Sequence, residues 1–141
     1  MTALVDPIDA LVSWLRLDSD LVALVGGRVY GGQVPQFENA SMPRPLVTVN
    51  PAGGGFLGRS QDYGDRRIDV DCYGQTRPES WAVYLASRGR ASSISNASSP
   101  TGCSWHWANE ASRGTSGVEP DTDWPVTYSS WQLLASDVLA A

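Results

Sequence analysis

Lysine is absent from this sequence, so all ten of its cations are arginines. Histidine occurs once, as His106, and cysteine twice, as Cys72 and Cys103. No apolar run approaches the roughly 18 residues that a membrane-spanning helix needs. Each scarcity removes a class of function. Fifteen acidic residues against ten basic ones leave a net charge of −5, the wrong sign for general binding to nucleic acid or to an anionic membrane surface. One histidine and two separated cysteines are too few ligands for a zinc site. Neither cysteine belongs to a CxxC pair, and the chain has no G-x-S-x-G elbow whose serine His106 could serve. Arginine without lysine leaves bidentate, weakly hydrated cations, which suit protein interfaces.

What remains is the composition of an ordinary globular protein. The 141 residues are 42% hydrophobic and 18% charged, and the expectation is one domain over residues 1–141 with a core that needs neither disulfides nor metals. Cys72 and Cys103 read as reduced thiols, Cys72 on the apolar side of a strand. The N-terminus lacks a basic signal-peptide region, so a cytoplasmic product is expected.

Asp6 and Pro7 are a helix N-cap and first helical residue. Ile8, Leu11, Val12 and Leu15 follow at the spacing of one apolar stripe. Asp18 caps a second short helix that Gly26-Gly27 ends. Arg28 to Val34 reads as a strand, Gln36 to Arg44 as a polar loop, and Pro45 to Val49 as a second strand. Pro51 to Asp65, with Gly53, Gly54 and Gly55, is a long connection of the kind that is usually functional. From Arg67 to Tyr73 the chain alternates: Ile68, Val70 and Cys72 on one side, Arg67, Asp69, Asp71 and Tyr73 on the other. Thr76 and Glu79 form a capping box with Pro78 in the first turn, opening a helix with Trp81, Ala82, Leu85 and Ala86 on one side that ends between Gly89 and Ile94. Ser92 to Gly102 is a small, polar connection. Cys103, Trp105 and Trp107 alternate with Ser104, His106 and Ala108 in a fourth strand. Ser112 to Asp123 reads as a loop, and Val126 to Leu134 as the last strand. The order predicts an α+β fold, with a mainly antiparallel four- to five-stranded sheet and helices packed on one face.

Candidate chemistry is thin. Asp69 and Asp71 share a strand face, as paired carboxylates for acid–base work do, but no second catalytic element accompanies them, and a solvated or partner-facing strand explains them better. The glycines at 53–55 lack the Lys-Ser/Thr of a phosphate loop and read as a hinge. Trp105 and Trp107 could stack a sugar; packing beneath the helix that carries Trp81 is the simpler account. One of Trp124 and Trp131 is a candidate for a subunit interface, where tryptophan is enriched. Arg66 and Arg67, beside Asp62 and Asp65, form either local ion pairs or pairs across subunits.

The succession Val25-Gly26-Gly27-Arg28-Val29-Tyr30, the proline-gated strand Pro43 to Val49, and the strand and capped helix from Arg67 to Glu79 resembles the tail terminator (tail completion) proteins of long-tailed bacteriophages. The resemblance covers the whole chain in order and spacing, and is weakest in the loops 51–65 and 112–123. It implies a non-enzymatic virion protein, without cofactor or metal, that forms a homohexameric ring on the head-proximal end of the tail tube. Its partners would be itself, the major tail tube protein and a head-completion or connector protein. Phage DNA would pass through the lumen without sequence-specific binding, and no membrane would be involved. The interaction residues expected on this basis are Gly53, Gly54, Gly55, Phe56, Arg59, Arg66, Arg67, Asp69, Asp71, Tyr73 and Trp124, with the two loops making axial contacts. A head-closure or connector-adaptor ring protein of the same neck is the nearest alternative, and a carbohydrate-binding domain a remoter one.

Overall fold

The computed structural model of the chain describes residues 6–52, 63–98 and 104–136. Two capped helices open it. In α1 (Pro7–Leu15) the Asp6 carboxylate accepts from the Ile8 N–H at 2.9 Å, and in α2 (Ser19–Val25) Asp18 accepts from Leu21 at 2.9 Å. Each side chain satisfies a backbone donor that the first turn leaves open. Gly26, at φ 64°, ends α2 in the left-handed conformation that glycine adopts without strain.

The strands are β1 (Val29–Gly31), β2 (Leu46–Pro51), β3 (Tyr63–Tyr73), β4 (Ser95–Ser98), β5 (Ser104–Val118) and β6 (Pro125–Ser136). Helix α3 (Arg77–Ser92) lies between β3 and β4. They form one sheet in the order β1-β2-β3-β6-β5-β4, in which β1 and β2 run parallel and every other neighbouring pair is antiparallel. This is the α+β fold expected, with six strands among the described residues rather than four or five. The short segment 95–98, within the expected connection 92–102, adds the extra strand by pairing its backbone with 104–107.

The three described α-helices pack on one face. Val47 and Val49 of β2, Ile68, Val70 and Cys72 of β3, and Trp131 and Leu133 of β6 meet Leu11, Leu15, Leu21, Val25 and Val83 in the main core. The two-residue alternation of the strands and the apolar stripe of α1 select that face. Cys72 is a buried free thiol beside Ser87, and burial pushes its pKa up to about 12, so it stays protonated. No described helix is long and apolar enough to cross a membrane.

Three expectations are corrected. The loop expected over Ser112–Asp123 is strand as far as Val118, because Ser112, Thr115, Ser116 and Gly117 pair with Ser130, Tyr128, Thr127 and Val126 across irregular register. Bulges absorb the small polar residues that read as a loop. The strand expected over 28–34 stops at Gly31, before Gly32 turns the chain at φ 97°. The polar loop 36–44 contains a 3₁₀ turn, Gln36–Ser41. Its Glu38 is only 3% exposed and is clamped by an ion pair with Arg44 and a 2.8 Å hydrogen bond from the Tyr30 hydroxyl. Burial alone would raise the Glu38 pKa, but the hydrogen bonds from Arg44 and Tyr30 outweigh it and hold the carboxyl below the usual carboxylate range.

Helix α3 is turned the other way from what its apolar residues suggest. It buries Ser80, Val83, Tyr84, Ser87 and Ala91, and leaves Trp81 and Leu85 outside. The two serines reach the core because their hydroxyls are satisfied: Ser80 by the Arg77 carbonyl and Thr127, Ser87 by the Val83 carbonyl.

Candidate functional site

The helix-free face of the sheet is polar. Cross-strand register aligns Thr48, Asp71 and Tyr128 in one row and Asn50, Asp69 and Ser130 in the next. Over the end of this face fold the 36–41 turn and the 119–124 connection between β5 and β6. Leu46, Tyr73 and Val126 form a second small core there with Tyr30, Val34, Met42 and Trp124. Asp123, at φ 58°, lets the connection reverse, and the Glu119 N–H closes it on the Trp124 carbonyl at 3.0 Å. Trp124 then meets the Tyr73 ring edge-on, with centroids 6.2 Å apart.

Between these elements lies a pocket of about 320 Å³, whose lining includes Thr48, Asn50, Asp71, Tyr73, Glu119 and Trp124. No arginine among the described residues lines it. Burial, with the neighbouring charges of Asp69 and then Glu119, raises the Asp71 carboxyl to about 6. Burial also raises the Tyr73 phenol, with the Glu119 and Asp71 charges adding to it. Asp69 accepts a hydrogen bond from Ser130. Such a surface repels phosphate and receives cationic or hydrogen-bonding groups. Among the described residues no group of three or more His, Cys, Asp or Glu is placed to hold a metal ion.

The fold thus gathers four of the residues singled out in the sequence, Asp69, Asp71, Tyr73 and Trp124, on one face. Arg67 lies on that same face farther along β3 and lines a separate pocket of about 530 Å³ with Asp6, Ile8 and Pro51. The backbone of Arg66 pairs with Leu133; its side chain lies outside the described ones, as do those of Trp105, His106 and Trp107 in β5. Gly53, Gly54, Gly55, Phe56 and Arg59 lie outside the described residues altogether. Thr48, Asn50 and Glu119 were missed. Alternation with Val47 and Val49 would have put the first two on the outer face; Glu119 carries no local signal.

A second surface was missed completely. The outer side of α3 and the middle of β5 enclose a cleft of about 400 Å³ lined by Trp81, Tyr84, Leu85, Arg88, Arg113 and Gly114. Its floor is rigid. The Tyr84 hydroxyl donates to Glu110 and accepts from the Gly114 N–H at 3.1 Å, Arg88 pairs with Glu110 at 3.2 Å, and the Trp81 and Tyr84 rings lie 5.0 Å apart. Burial, followed by the bond to Glu110, raises the Tyr84 pKa and keeps the phenol a donor. A side chain at position 114 would put its first carbon 2.6 Å from the Tyr84 ring, so only glycine lets β5 pass there.

No protein-family model matches the sequence, and no curated protein matches it. In fold the chain is similar to one from the virion of a native gene transfer agent particle. The TM-score is 0.67 at 14% identity, over 91% of this chain and 92% of that one. Near-complete coverage of both chains extends the likeness to the arrangement of the whole α+β unit.

Proposed function

We propose that this chain is a structural, non-enzymatic virion protein that forms a ring at the head-proximal end of a phage tail tube, stops tube growth and joins tail to head. The observation that carries this reading is the end-to-end fold likeness to a chain of a gene transfer agent virion, which joins the order of segments that resembles tail terminators. A homohexamer is the assembly proposed, with the tail tube protein and a head-completion or connector protein as its axial partners.

The mechanism is one of symmetry. A contact between two different surfaces of the same chain repeats around an axis and closes. One ring face matches the tube, and the other presents a surface that the tube protein cannot extend. The anionic helix-free face, with Asp69 and Asp71, suits a lumen through which DNA passes without being held. Electron microscopy of particles, or of this protein co-expressed with its tube protein, tests the reading. One ring of this chain capping the tube is the expected result. Density against the portal without tube contact would replace it with the connector-adaptor reading, and absence from any particle would end it.

A further inference from the structure

We propose that the ring is closed by a knob-and-hole contact, in which Phe37 of one copy enters the cleft between α3 and β5 of the next. The proposal rests on the ring reading above and names the contact that such a ring would use.

The knob is an aromatic side chain 74% exposed at the tip of the 36–41 turn. Its own contact is an edge-on one with Tyr30, at 6.0 Å between centroids. The segment that carries it is held firmly. Glu38, the next residue, is buried and tied to both Arg44 and Tyr30, so Phe37 is presented rather than left to fold inward. An aromatic held in place in advance loses little conformational freedom on docking.

The hole offers apolar surface and guanidinium groups together. Leu85 is 49% and Trp81 37% exposed, one turn apart on the side of α3 that faces away from the core. Arg113 and Arg88, the latter paired with Glu110, also line it, and a guanidinium over an aromatic face is attractive. The hydrogen bonds of Tyr84 and the glycine at 114 keep the cleft open without a ligand. Among the described residues β4 pairs with β5 only at Ser104–Trp107, so β5 has β6 alone beside it at Arg113 and Gly114. The bulges there discourage sheet extension, which leaves side-chain docking as the way to use this edge.

Placement decides who the occupant is. Phe37 packs on β1, one end of the strand order, and the cleft borders β5, four strand spacings or roughly 19 Å away. A chain cannot reach its own cleft with its own knob. A second copy can, and its knob remains free for a third. Two unlike surfaces at opposite edges make a head-to-tail contact, the kind that generates rings.

Cysteine cross-linking of the full chain tests the contact, in a Cys103→Ser background, both free and co-expressed with the tube protein. Gln36→Cys mixed with Ala82→Cys, exposed positions beside the knob and beside the cleft that leave Phe37 and Leu85 in place, should give a cross-linked dimer on oxidation, and the double variant a ladder that ends at a closed ring. Gln132→Cys with Ala82→Cys, which places one thiol on the helix-free face, is the control. Phe37→Ser should weaken association about tenfold or more with an unchanged melting temperature. Closed rings by native mass spectrometry, with no more 36–82 cross-link than the control, would overturn the contact and leave the ring reading standing. A 36–82 ladder that never closes would uphold the contact and sink the ring. No association under either condition would overturn both.

Discussion

The two faces of the sheet are built on opposite principles. On the helix side, strand residues such as Val49, Val70 and Leu133 meet α1, α2 and α3 in a closed apolar core. On the other side, Asp69, Asp71, Thr48 and Asn50 stand in rows, and one end is covered by a turn held through the Glu38 clamp and by Trp124. The first face is held by burial, which is insensitive to pH. The second contains buried and half-buried carboxylates whose protonation differs between the folded and unfolded chain. The larger apolar core therefore lies on one side of the sheet, and responsiveness to charge on the other.

The most forceful way to break this contrast is to remove core volume. Leu133→Ala, at the fully buried centre of the helix side, should cost about 2–5 kcal/mol by the same amount at pH 5 and pH 8. Denaturant titration at the two pH values checks this. A cost that changed with pH would show that the helix side is coupled to the carboxylates opposite.

A smaller loss is expected from Glu38→Ala, about 2 kcal/mol, because Arg44 keeps partial access to water while the Tyr30 hydroxyl loses its acceptor. The sign with pH follows from the lowered pKa of Glu38. Its contribution is complete above the ordinary carboxylate pKa and fades as pH falls through the lower folded value. Thermal melts of wild type and variant should therefore converge in acid.

The smallest effect has the opposite sign. The Asp71 carboxyl titrates near 6 in the folded protein against an ordinary 3.8, so between those values the folded chain holds a proton that the unfolded chain has lost. Wild-type stability then falls as pH rises through that window and stays lower above it. Asp71→Asn removes the penalty. With the group partly open to solvent, screening limits the gain to about 1–2 kcal/mol at pH 8, vanishing near pH 4. Melting curves across that range measure it; a variant no more stable than wild type at pH 8 would mean that Asp71 is better solvated than its setting implies.

Local chemistry was legible wherever it was strictly local. The Asp6, Asp18 and Thr76 caps, the Gly26 stop and the alternation of β3 were all readable, because each depends on a few neighbouring residues. The acidic face was readable in part: alternation put Asp69, Asp71 and Tyr73 together, but Glu119 reaches them only through the reversal at Asp123. The segment 112–118 misled because strand membership there comes from pairing with β6, which overrides the weak strand propensity of Ser, Gly and Arg.

The sequence by itself determined the α+β class, the helix ends, the apolar side of each main strand and the acidic balance, since periods of two and 3.6 residues and capping chemistry act within a few residues of one another. Tertiary structure alone decided the rest. It turned α3 so that Ser80 and Ser87 lie inside and Trp81 and Leu85 outside. It also buried Glu38 to present Phe37, and brought Gly114 under Tyr84. These outcomes depend on hydrogen-bond partners and packing distant in the chain, such as Thr127 for Ser80 and Glu110 for Tyr84. No local pattern of residues carries that information.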